Sequence, residues 1–105
     1  MTDNDPQSKG FSIFHTKEMG LDPELFLFTL PRLVSPSITT INGDQITIKE
    51  SELTTHMFLR PLSPRVLGPL TIPRTEVSFS FSPEDPDLIA DFIRRFDFHF
   101  RRGGG

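Results

Sequence analysis

The clearest pattern in the chain is a period-two alternation near its C-terminal end. Glu76-Val-Ser-Phe-Ser-Phe-Ser82 places Val77, Phe79 and Phe81 on one side and the serines on the other, which predicts a half-buried strand. The period then changes. Leu88, Ile89, Phe92, Ile93 and Phe96 draw one apolar stripe at helical spacing. Asp85 before Pro86 supplies a cap, acidic residues open the segment and Arg94-Arg95 close it, all in the sense that complements a helix dipole. Beyond the stripe, Phe96, Phe98 and Phe100 alternate with Asp97, His99 and Arg101, so the pattern predicts a final strand after the helix.

Upstream, Ser37-Ile-Thr-Thr-Ile41 and Asp44-Gln-Ile-Thr-Ile-Lys49 flank Asn42-Gly43, the signature of a hairpin with a type I′ turn. Phe11–Phe14 predicts a first strand ending before Gly20, and Thr54–Arg60 another around Met57 and Leu59. The apolar run Glu24–Leu30 is compatible with a buried strand or a helix. Its aromatic content and Pro31 favour a strand, while Asp22-Pro23 has the form of a helix cap. Pro61, Pro64, Pro69 and Pro73 break the ladder pattern, so residues 61–74 are expected as a long, partly extended loop.

These elements predict a single α+β domain over residues 10–102: a small antiparallel or mixed β-sheet with one principal helix near the C-terminus. Residues 1–9 form a polar, mobile leader and residues 103–105 a flexible glycine tail. Composition sharpens the picture. Eleven Phe accompany no Trp and no Tyr, so the core is expected to be built from rings that need no hydrogen-bond partner. The absence of cysteine removes disulfides, thiolate catalysis and cysteine-ligated metals. No apolar run is long enough to cross a bilayer and no signal peptide is evident, so the expected location is cytoplasmic.

A net charge of −3 argues against nucleic acid as the partner, because phosphate binding rewards a basic surplus. The Phe96–Phe100 rings and nearby arginines have the makings of a base-stacking platform, but a small core needs those rings. His15, His56 and His99 show no ligand-pair spacing, and Glu84, Asp85, Asp87 and Asp91 lack the spacing of a calcium loop, so no metal or cofactor is expected. No strained Gly-x-Ser-x-Gly turn or phosphate-cradling glycine pattern is present, and the expectation is a protein that is not an enzyme.

Two functional readings follow. The tail Arg101-Arg102-Gly103-Gly104-Gly105, placed after a predicted final strand, resembles the C-terminus of ubiquitin-like protein modifiers. The resemblance implies a β-grasp fold, with Asp22–Val34 as its helix, or a divergent variant of it. It also implies that Gly103, Gly104 and Gly105 form the conjugation tail, with Gly105 carrying the carboxylate that is activated. Arg101 and Arg102 would be recognised by adenylating and conjugating enzymes, and target lysines would be the acceptors. The alternative is a non-enzymatic interaction module, an adaptor, inhibitor or assembly subunit. It would bind proteins through the Pro-rich stretch 61–74, where Pro61-Leu-Ser-Pro64 is a Pro-x-x-Pro pattern, or through a sheet edge.

Overall fold

The structure, a computed structural model, describes residues 15–102, with side chains through Phe100. The predicted leader, the strand at Phe11–Phe14 and the glycine tail lie outside the described residues. Strand β1 spans His15–Met19 and helix α1 Pro23–Thr29, followed by short 3-10 turns at Leu30–Arg32 and Pro36–Ile38. Four strands come next, β2 Thr39–Asn42, β3 Gln45–Lys49, β4 Thr54–Leu67 and β5 Leu70–Ser82, and then helix α2, Pro86–Arg102. The strands form one five-stranded sheet in the order β1-β5-β4-β3-β2, with every pairing antiparallel. The domain is therefore α+β, as the sequence predicts.

Both helices pack on one face of this sheet. Met57 and Leu59 of β4, Val77, Phe79 and Phe81 of β5, and Ile46 and Ile48 of β3 supply the sheet side of the core. Helix α2 answers with Ile89, Phe92, Phe96 and Phe100, all buried. Phe79 meets Phe96 edge-on at 5.0 Å, and Phe81 meets Phe92 edge-on at 5.8 Å, so the rings that alternate along β5 interlock with the helical stripe. Asp85 caps α2 as expected, its Oδ1 accepting from the backbone N–H groups of Asp87 and Leu88.

The predicted final strand does not form, because α2 continues through it to Arg102. Phe92, Phe96 and Phe100 are also spaced four apart, and on a helix that spacing puts all three in the core, whereas Phe98 is 58% exposed. Burying two rings on a helix already docked on the sheet outweighs the local alternation. Arg94 and Arg95 consequently lie in mid-helix: both pair with Asp91, and Arg95 also reaches Glu50.

The favoured strand at Glu24–Leu30 is replaced by α1. Asp22 Oδ1 accepts from the Leu25 N–H at 2.8 Å and Pro23 occupies the first turn. Phe26, Leu30 and Val34 are buried, whereas Phe28 is 75% exposed, the opposite of what a strand carrying Phe26, Phe28 and Leu30 on one face would give.

The β2–β3 hairpin forms with a different turn. Asn42 pairs with Gln45, so the loop residues are Gly43 and Asp44. Only Gly43 has a positive φ, 65°. That pattern belongs to a type II′ turn, which needs glycine at its first loop position, rather than to type I′ over Asn42-Gly43.

Candidate functional site

The largest departure from the sequence reading lies in residues 61–74, which form a hairpin rather than a loop. β4 pairs with β5 from Thr54↔Ser82 to Leu67↔Leu70. On their outer sides the neighbours stop early: β3 reaches only as far as Phe58, and β1 only as far as Thr75. From Leu62 to Arg74, β4 and β5 therefore have only each other. They form a two-stranded arm that projects past the sheet by roughly 20 Å at the usual strand rise.

Its prolines are tolerated for identifiable reasons. Pro64 and Pro73 fall within the register break between Leu62 and Arg65, and Pro69 follows Gly68 in the turn, where Gly68 adopts a φ of 59°. Pro61 pairs with Thr75 in a segment whose other edge is open. Four prolines are incompatible with a central strand, but a ribbon with two free edges accommodates them.

The base of the arm is held by polar contacts. Arg60 Nε donates to Glu76 Oε1 at 3.0 Å, and Arg74 Nη1 donates to Glu18 Oε2 at 2.9 Å. Arg74 Nε also donates to the Ser63 carbonyl at 2.8 Å, satisfying a backbone acceptor inside the register break. Just below, the buried Thr75 hydroxyl donates to the Leu21 carbonyl at 2.7 Å, fixing β5 to the connection between β1 and α1.

Towards the tip the character changes. Val66, Leu67 and Leu70 are 67%, 51% and 61% exposed. Residues 60–74 include Arg60, Arg65 and Arg74 and no acidic residue, and the guanidinium groups of Arg60 and Arg65 keep more than half their side-chain surface in solvent. The arm thus presents an apolar tip with the loosely held Arg65 beside it, while Arg60 and Arg74 are paired at its base.

At the far end of the same strands lies a concave acidic surface. A depression of about 220 Å³ is lined by Glu50, Ser51, Glu52, Leu53, Leu88, Asp91 and Arg95. Arg95 spans its wall, donating to both carboxylate oxygens of Glu50 at 3.1 and 3.2 Å and to Asp91 at 3.0 Å. Those bonds, from Glu50 foremost, hold its guanidinium firmly protonated against the opposing effect of burial. A smaller apolar groove of about 70 Å³ lies beside the edge strand β2, lined by residues including Leu27, Val34 and Ile41.

The three histidines are dispersed. His15 lies edge-on to Phe79, His56 shares a hydrogen bond with Thr47 across β3 and β4, and His99 Nε2 lies 3.0 Å from the Thr29 carbonyl, on a helix rather than a strand face. Among the described residues no group of three His, Cys, Asp or Glu is placed to hold a metal ion, and no helix is long and apolar enough to cross a membrane. Arg101 and Arg102 occupy the last turn of α2, with their side chains outside the described set, and Gly103, Gly104 and Gly105 lie beyond the described residues.

The arm is the feature that residue-by-residue reading missed. The signal available for it was Gly68-Pro69, a turn dipeptide set between Arg65-Val-Leu67 and Leu70-Thr-Ile72, two short apolar runs that can pair across it. No family model matches the chain, and comparison with curated proteins and with solved structures finds no match.

Proposed function

We propose that this chain is a non-enzymatic protein-interaction module whose binding element is the β4–β5 arm. One observation carries the reading: residues 62–74 leave the sheet as a ribbon with three large aliphatic side chains exposed at its tip. Exposed aliphatic groups are common one at a time, but the cross-strand pair Leu67 and Leu70 on one face, with Val66 on the other, at the end of a projection from a small domain marks a contact surface. The ribbon's free backbone edges offer main-chain hydrogen bonds to a partner strand, and Arg65, which holds Glu18 only at 3.8 Å, favours a partner with acidic character.

The modifier reading draws on the tail alone. It joined Arg101-Arg102 and the glycines to a final strand, and in the fold α2 occupies that stretch. Removing Gly104 and Gly105 decides the modifier reading: covalent adducts that disappear with the truncation would support it against the arm.

The arm is tested with Leu67→Asp/Leu70→Asp in the full chain. The variant is expected to melt as the parent does, because both positions are exposed, and to lose association with partners the parent binds. Undiminished binding by the variant would refute the arm as the binding element.

A further inference from the structure

We infer that the partner of the arm is a second copy of this chain, with each arm tip seated in the acidic depression of the other copy. The inference rests on the proposed role of the arm and adds the identity of what it contacts.

The two surfaces are complementary in shape and charge. The arm is convex, has Leu67 and Leu70 exposed as a cross-strand pair on one face with Arg65 on the same face, and Val66 exposed on the other, while Arg60 and Arg74 are paired with Glu76 and Glu18 at its base. The depression is concave, has Leu53 and Leu88 in its lining, and is edged by Glu50, Glu52 and Asp91. Glu84 and Asp85 on the connection between β5 and α2, and Asp87 in the first turn of α2, add negative charge next to the same end of the sheet. Arg95, the one base in the lining, engages Glu50 and Asp91, and Arg94 engages Asp91 as well, so the exposed Glu52 is the carboxylate of the lining left to an incoming base. On the arm, Arg65 holds its own carboxylate, Glu18, only at 3.8 Å. It is therefore available to a closer partner.

The fold also dictates the arrangement. Leu53 precedes the first residue of β4 and Leu67 is its last, so depression and tip stand at opposite ends of one fourteen-residue strand. The separation is roughly 40 Å by strand rise, nearly the 44 Å length of the molecule. Within one chain the arm cannot reach its own depression. Two copies placed antiparallel about a two-fold axis bring each tip to the other's depression at once, giving two equivalent contacts and a closed dimer. Opposite charges meet at both contacts, so association is expected to weaken as salt rises.

Sedimentation velocity of the full chain over about 1 to 100 µM, at low and high salt, tests this by mass action. The parent is expected at twice the chain mass at low salt and to dissociate as salt increases. Leu67→Asp/Leu70→Asp should be monomeric throughout. Arg65→Glu and Glu52→Lys should each raise the dimer dissociation constant by about tenfold or more, and the two combined in one chain should recover most of that loss, because the reversed pair re-forms across the interface. Circular dichroism melts of all variants establish that they are folded. A parent that stays monomeric, a dimer indifferent to the tip variant, or a combined variant no better than either single one would overturn the inference. In that event, loss of binding to other proteins by the tip variant would leave the arm as the binding element, and retained binding would remove both readings.

Discussion

Phe26 and Phe100 stack with ring centroids 4.9 Å apart and planes within 4° of parallel. One ring belongs to α1 and the other to the closing turns of α2, so this contact, with Phe96 tilted against both, joins two segments, Glu24–Leu30 and the stretch from Phe96 onward, whose sequence pattern favours strands. The His99 to Thr29 contact lies beside it and links the same two helices. The helical state of residues 96–100 is thus enforced by what the rings touch rather than by their order along the chain.

That relationship separates two neighbouring phenylalanines. Phe100→Ala empties a buried site and should cost about 3–5 kcal/mol, whereas Phe98→Ala, at a position 58% exposed, should stay within about 0.5 kcal/mol. Chemical denaturation of both variants checks this. Equal losses at the two positions would indicate a strand, in which both rings share a face.

Arg74 is the pin at the base of the arm, joined to Glu18 and to the Ser63 carbonyl. Arg74→Ala should lower global stability by only about 1 kcal/mol, because the side chain is partly solvated and the ion pair is screened. Amide exchange in residues 62–73 should accelerate well beyond that in β3 or α2, since an isolated two-stranded ribbon is marginal without such anchors. Uniform acceleration across the sheet would show that the arm has no independent hinge.

His56 gives a pH signature. Burial, and secondarily the charge of Lys49, hold its imidazole below the ordinary histidine value. The unfolded chain therefore takes up the proton first as pH falls. The contribution of His56 to stability is complete above about pH 6.5 and declines below it until the folded pKa is reached. His56→Gln should flatten that part of the stability profile measured by urea titration between about pH 5 and 7.5. An unchanged slope in the variant would assign the dependence to other groups.

The fold was readable where one periodicity dominates a segment. Val77, Phe79 and Phe81 alternate against serines, Asp85 and Pro86 cap a helical stripe, and a glycine marks the β2–β3 turn; each has its counterpart in the structure. Ambiguity arose where two periods coincide. Phe96, Phe98 and Phe100 fit a strand, Phe92, Phe96 and Phe100 fit a helix, and only the presence of Phe26 and Phe79 across the core decides between them. The arm was hidden for another reason. Proline statistics describe strands with two neighbours, and nothing local reveals that β3 and β1 stop at Phe58 and Thr75. The candidate site was legible only as a Pro-rich stretch of interest, and its geometry is a property of the sheet order.

The most direct test of the account is removal of the arm alone. Replacing residues 62–74 with an Asn-Gly turn joins the paired residues Pro61 and Thr75 and preserves the Thr75 to Leu21 hydrogen bond. Association of this variant, measured by sedimentation beside the parent and with its thermal melt as the fold control, gives the decisive reading. The account predicts a folded body that melts near the parent and no longer associates with itself or with other proteins. A folded, armless body that still associates as the parent does would contradict it.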